Sequence, residues 1–278
     1  MVIRHSGRAV LAFTIMALSV SANGEGQEAT ASESSPHAVR TTKFTVGDVD
    51  KNTAFYVEML GMTEMNRYVA EGRLVEPLMG FGDAGQRIGL LSYTEKEGLE
   101  KSPYPVTVIY AGEFDELVAR FETAQYPLML LPASDTGGVR IGIASDPSGN
   151  AIEIIDRPGA PGVAGSRLIV NDRQKAEDFF VRIFGSGVKP GQRFETEAFD
   201  EVLMDFGESM FVALFEPKGV APLPKSTHPV VAIYTTELDA VIERVKAEGF
   251  GYTEFRPGRV FMVNDPSGNV VEIVRQQD

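Results

Sequence analysis

Residues 46–61 read VGDVDKNTAFYVEMLG, and residues 170–185 read VNDRQKAEDFFVRIFG. In the first stretch Asp48 or Asp50 can cap a helix that runs to Leu60, with Phe55, Met59 and Leu60 on its inner face and Gly61 ending it. The second stretch repeats that design, Ala54 to Gly61 returning as Asp178 to Gly185 at an offset of 124. Pro105 to Tyr110 (PVTVIY) returns as Pro229 to Tyr234 (PVVAIY) at the same offset. Asp146-Pro147-Ser148-Gly149-Asn150 returns as residues 265–269, offset 119. Matches in one order at nearly one offset imply a duplicated domain, because the period is far too long for a solenoid. The joint lies between Asp156 and Gly165, where Pro158, Gly159, Pro161 and Gly162 mark a linker.

Each half divides again. Lys43 to Val46 reads as a strand, followed by the helix over Asp48 to Leu60 and strands near Thr63 to Ala70, Leu74 to Phe81 and Arg87 to Tyr93. The same order then returns as strand Val106 to Tyr110, helix Glu113 to Thr123, and strands Leu128 to Leu131, Val139 to Ala144 and Ala151 to Ile155. The chain thus holds four βαβββ modules, an α+β architecture. Alternation such as Leu203-Met204-Asp205-Phe206 suits sheets with one wet or cleft-lining face. Gly80 to Gly85 spells G-x-G-x-x-G, but it joins two strands, whereas a dinucleotide fingerprint opens a helix. It is read as a hairpin turn.

The chain of 278 residues carries 26 Lys+Arg against 39 Asp+Glu, a formal charge of −13, with the basic residues scattered. Such a surface repels phosphate backbones, so nucleic acid is not an expected partner. There is no Cys, which excludes disulfides, thiolate metal sites and a cysteine nucleophile. Arg4 and Arg8 precede an apolar run from Ala9 to Val20 and the small residues Ser21-Ala22, which is the pattern of a signal peptide over 1–22. Residues 23–40 are polar and small and read as a flexible tether, in which His37 is expected to be inert. The expected domains are then 41–157 and 165–278, in an exported, periplasmic or secreted protein with no membrane contact after cleavage.

The order of strand, V-G-D-V-D, A-F-Y-V-E-M-L-G-M, a second strand–helix and D-P-S-G-N-x-x-E-I resembles the vicinal oxygen chelate superfamily, which includes glyoxalase I, bleomycin-resistance proteins and extradiol dioxygenases. The resemblance covers roughly residues 41–277. It implies curled mixed sheets forming clefts, into which up to four His or Glu side chains point to bind a divalent ion. Carried over position by position, the first-strand histidine falls at Thr41 and Gly165, and the fourth-strand carboxylate near Leu90 and Ala213. The fifth-strand histidine falls at Pro105 and Pro229, and the final-strand glutamate at Glu153 and Glu272. Only the two glutamates match, so a divalent metal cofactor would find its usual ligand set mostly absent.

Three residues remain as candidate catalytic or metal-binding groups. His228 stands one residue before Pro229 and is read as a ligand, as a general base, or as a loop histidine at the start of a strand. Glu153 and Glu272 are read as residual ligands, as general bases, or as salt-bridge partners of Lys43 and Arg167 on the first strands of the same halves. The resemblance implies an enzyme of lyase, isomerase or dioxygenase-like type acting on a small organic molecule. The alternative is a non-catalytic protein that binds a drug-like molecule, as bleomycin-resistance relatives do. A homodimer stays open, as does the choice between a cleft within each half and one between halves.

Overall fold

The structure, a computed structural model, describes residues 35–82, 85–95, 101–207 and 209–276. The signal peptide at 1–22 and the tether as far as residue 34 lie outside the described residues. The first module is β1 (His37–Thr45), α1 (Val49–Glu58), β2 (Thr63–Ala70), β3 (Leu74–Gly80) and β4 (Arg87–Tyr93). The second is β5 (Thr107–Ala111), α2 (Phe114–Thr123), β6 (Leu128–Leu130), β7 (Ile141–Ser145) and β8 (Ala151–Asp156). The third is β9 (Gly162–Ile169), α3 (Arg173–Phe184), β10 (Lys189–Glu195), β11 (Phe199–Asp205) and β12 (Phe211–Pro217). The fourth is β13 (Pro229–Thr235), α4 (Leu238–Ala247), β14 (Tyr252–Arg256), β15 (Val260–Asn264) and β16 (Val270–Arg275). Asp48 and Asp172 cap α1 and α3 by accepting from the backbone N–H of Lys51 and Lys175, which stabilises the first turn of each.

The sheets do not follow the two halves. One has the order β14-β15-β16-β13-β1-β4-β3-β2 and joins the first module to the fourth; we call it sheet A. The other, sheet B, has the order β10-β11-β12-β9-β5-β8-β7-β6 and joins the third module to the second. Each seam is an antiparallel pairing of first strands, β1 with β13 and β5 with β9. The outer face of sheet A (Phe44, Ile88, Leu90, Val231, Ile233, Phe261, Ile273) belongs to one continuous apolar core together with Phe55 and Tyr56 of α1 and Val241 and Val245 of α4. Sheet A also curls far enough for its two ends to meet. Arg256 of β14 donates to the Tyr68 hydroxyl of β2, and Arg73 lies 4.9 Å over the Phe255 ring.

The two Asp-Pro-Ser-Gly-Asn turns fasten one sheet to the other. Asp146 accepts from the backbone N–H groups of Ser148 and Asn150, and Asn150 Nδ2 donates onward to the Thr45 carbonyl of β1 at 3.2 Å. Ser148 Oγ accepts from Gly47 N at 3.0 Å, at the start of α1. The second turn repeats the clasp, Asn269 donating to the Ile169 carbonyl at 3.0 Å and Ser267 accepting from Asn171 N at 2.8 Å. These contacts satisfy buried polar groups that a simple hairpin would leave open.

Two boundaries read from the sequence shift. Strand β1 begins at His37, so residues 37–40 are sheet and not tether, because pairing with β13 continues out to Thr235. Strand β9 likewise begins at Gly162, which shortens the linker. His37 is not inert. Its ring is buried, and its nitrogens lie 2.7 Å from Thr235 Oγ1 and 2.9 Å from the Phe184 carbonyl. Burial pushes its pKa down, the Phe184 hydrogen bond opposing that only in part. The unfolded chain therefore binds the proton more readily, and stability is fully present above the unfolded pKa and falls as pH drops below it. We expect urea midpoints that decline below about pH 6.5 in the wild type, with a shallower decline in His37→Asn; equal slopes would show that His37 does not contribute.

Candidate functional site

The inner face of sheet A brings together a cation and two carboxylates from three strands. Register puts Lys43 of β1 beside Gly89 of β4, and Ala232 of β13 beside Glu272 of β16. Lys43 Nζ lies 2.9 Å from Glu76 Oε1 of β3 and 2.5 Å from Glu272 Oε2, all three being nearly buried. A Cβ on Gly89 would come within 2.6 Å of Glu76 Oε1, so the glycine leaves the room in which this cluster packs. Burial works against the Lys43 ammonium, but Glu272 and Glu76 outweigh it and hold its pKa above the ordinary value. Burial pushes Glu76 up, and Lys43 opposes that.

Sheet B repeats the cluster with other chemistry. Arg167 of β9 donates through Nε to Glu201 Oε1 at 2.7 Å and through Nη1 to Glu153 Oε2 at 2.8 Å. Nη1 also donates to the Pro105 carbonyl at 3.3 Å. The side chains of Arg167, Glu153 and Glu201 are 5%, 2% and 5% exposed, too little for water to solvate the charges. Both carboxylates of a cluster come from different halves. Lys43 pairs with a glutamate of the other half, and so does Arg167, which corrects the expectation of partners within one half. The reason is the seam, which sets β1 beside β13 and hence near β16.

The inner faces differ in what lies above the clusters. Over sheet B, Val108, Ile141 and Ile155 pack with Tyr110, Ile143 and Phe211. The Phe211 ring covers Gly165, a Cβ at that glycine falling 2.1 Å from the ring. Over sheet A a cleft of about 990 Å³ opens, lined by Arg73, Tyr93, Lys225, His228, Phe255 and Met262 among others. The cleft thus lies between the halves. The His228 ring stacks on Tyr93 with centroids 3.9 Å apart and 16° between the planes. Burial lowers the His228 pKa, which favours the neutral imidazole, the form that can accept a proton. Burial raises the Tyr93 phenol, against a smaller opposing effect of Lys43.

Of the three candidates, His228 stands in the wall of the open cleft, Glu272 lies with Lys43 in the sheet A cluster, and Glu153 is sealed in sheet B. Leu90, read as a ligand position, faces the apolar core, because its neighbour Gly89 is the residue beside Lys43; the second carboxylate comes from the third strand of the first and third modules and not from the fourth. Glu76 and Glu201 were therefore missed. Their signal was present as Glu76-Pro77-Leu78-Met79 and Glu201-Val202-Leu203-Met204, a glutamate inside an apolar strand in both halves.

Lys225 was also missed. Its Nζ is buried with no hydrogen-bond partner among the described residues. Its counterpart Lys101 donates to the Thr45 carbonyl, to Thr45 Oγ1 at 3.3 Å and to Asn150 Oδ1 at 3.0 Å. Half two has Ile169 where half one has Thr45, so the hydroxyl acceptor is gone.

These features match a known group. Residues 36–154 match the Glyoxalase/Bleomycin resistance protein/Dioxygenase superfamily, and residues 167–261 match a second model with the same description. The chain belongs to this superfamily. Among solved structures, glyoxalase I from Zea mays is 20% identical with a TM-score of 0.71, over 86% of this chain and 92% of that one. A putative dioxygenase from Bacillus subtilis subsp. subtilis str. 168 is 16% identical with a TM-score of 0.66, over 87% of this chain and 86% of that one. At such identities the likeness is one of fold. No curated protein matches the chain.

Superfamily membership raises the question of a divalent ion, and the described residues do not offer a donor set that fits one. Among the described residues there is no group of three or more His, Cys, Asp or Glu that could hold a metal. In each sheet the two carboxylates that converge already hold a cation of the chain. Thr41 and Pro229 offer no imidazole, and Gly165 is covered.

Proposed function

We propose that this superfamily member is an exported protein that takes a small organic acid into the cleft of sheet A and transforms it by proton transfer, a lyase or isomerase reaction that uses no metal. The observation that carries this reading is the open cleft with a partly desolvated imidazole in its wall, where the sister face is covered by Tyr110, Ile143 and Phe211. His228 is the group that accepts and returns the proton, within reach of a ligand seated against Tyr93. The anionic end of the ligand is held by Lys225, whose Nζ has no hydrogen-bond partner among the described residues, and by Arg73 on the facing rim. Tyr93, Phe255 and Met262 supply apolar wall for the rest of the molecule. Glu272 and Glu153 anchor cations and take no part in proton transfer. Dioxygenase chemistry is disfavoured, since its iron would need ligands this cleft does not offer.

A second reading, binding without turnover, is favoured by the same degenerate ligand set. The two are separated by screening chelator-treated protein against small carboxylates and phosphonates and their neutral amides and esters, following both melting midpoint and product formation. A ligand bound to the native state raises the midpoint whether or not it reacts. Acids that shift the midpoint and are consumed support the enzyme. Acids that shift it and are recovered unchanged support the binding protein, and shifts by neutral analogues alone would contradict the assigned ligand class.

A further inference from the structure

We infer that Lys43 and Arg167 stand in for the divalent ion, so that each sheet carries a metal site closed permanently by a cation of its own chain. The inference is independent of which ligand the cleft takes. Its first support is repetition. Glu272 and Glu153 are the two positions where the superfamily's final-strand ligand survives, and each spends its charge on a cation from a first strand. The second carboxylate comes from the same place in both copies, Glu76 on β3 and Glu201 on β11.

The second support is chemical. An ammonium in one copy and a guanidinium in the other differ in shape and donor number. What they share is a positive charge held between two desolvated carboxylates, the place a divalent ion would take with one charge more. The third support is room. Gly89 removes the Cβ that would strike Glu76, and the Lys43 stem lies beside that glycine, its Cγ 3.3 Å from where the Cβ would be. Lys43 and Arg167 also border one small cavity of about 100 Å³ where the sheets approach, near the hydrogen bond from Thr42 to Ser166.

The advantage of this arrangement is independence from ion supply. An ion's occupancy depends on its free concentration and on pH, and chelators strip it. A tethered cation is always present. The exchange also accounts for the lost imidazoles, since a site that holds no ion has no need of Thr41 or Pro229 to be histidine.

The test is to reopen the site. Full-length wild type, Lys43→Ala and Lys43→Ala/Glu76→Gln are stripped with chelator and titrated with MnCl2 and ZnCl2, following heat of binding and melting midpoint. In the expected result the wild type does not respond. Lys43→Ala melts lower, binds one ion per chain at least about tenfold more tightly than wild type, and regains midpoint as the ion is added. Adding Glu76→Gln abolishes that gain. An ion that binds Lys43→Ala no better than wild type, or a gain that survives Glu76→Gln, overturns the inference. Lys43→Ala is also refolded with and without each ion, beside the neutral variant Lys43→Met/Glu76→Gln/Glu272→Gln. Folding that requires the ion supports the inference. Failure to fold in either condition while the neutral variant folds counts against it.

Discussion

Arg167→Met is expected to lose about 3–5 kcal/mol of stability, the cost of leaving buried charges uncompensated, and for a chain of this size that is a fall of roughly 6–20 °C in melting midpoint. The guanidinium holds two carboxylates that are almost wholly out of water, and nothing else in the described contacts of Glu153 and Glu201 carries positive charge. Burial already raises the Glu201 pKa, with Arg167 opposing. Without Arg167 that opposition disappears, so the Glu201 carboxyl in the folded variant holds its proton more tightly than in the unfolded chain. The stability deficit is then largest at neutral pH and shrinks as pH falls, because a proton on Glu201 removes one uncompensated buried charge. Arg167→Met/Glu153→Gln/Glu201→Gln removes every charge and is expected to recover most of the loss. Denaturant midpoints at pH 7 and pH 5 check both points. A loss under about 1 kcal/mol, the size of an exposed pair, would show that this cluster is not the buried tie it is taken to be.

His228→Ala is expected to cut turnover of an accepted acid about 10²- to 10⁴-fold, the usual contribution of a positioned general base. Affinity for the ligand should change only a few-fold, since the anion is held by Lys225 and Arg73. The fold should be unaffected, because the ring packs on Tyr93 at a cleft wall and not in the core. In the wild type the rate depends on neutral imidazole, so it falls on the acid side as His228 takes a proton; desolvation places that limb below the ordinary histidine pKa. A variant that keeps its rate and its acid limb would remove His228 from the chemistry. A variant that loses binding and rate together would make His228 a ligand contact and favour binding without turnover.

The duplication, the module order and the helix caps are legible in the sequence because they rest on local chemistry. Asp48 and Asp172 cap helices by reaching backbone three residues away, and the Asp-Pro-Ser-Gly-Asn turns fold on themselves. The exchange of modules between sheets is not legible. β1 can pair with β13 or with another first strand using the same alternation, and the choice is made by packing across the whole molecule. For that reason Lys43 was matched with the wrong half. Glu76 and Glu201 were hidden by treating each as one polar residue in an apolar strand, when their meaning comes from the cation on a neighbouring strand. Lys225 shows the limit from the other side. Its own stretch of sequence repeats that of Lys101, and what sets it apart is Ile169 in place of Thr45 on a strand distant in sequence, with no hydrogen-bond partner for its Nζ among the described residues.

The central claim is that the cleft of sheet A works without a metal ion. Elemental analysis of protein purified without chelator, followed by ligand binding and turnover in excess chelator, tests it most directly. The account predicts divalent metal far below one equivalent per chain and undiminished binding and turnover in chelator. Near-stoichiometric metal whose removal abolishes either would contradict it.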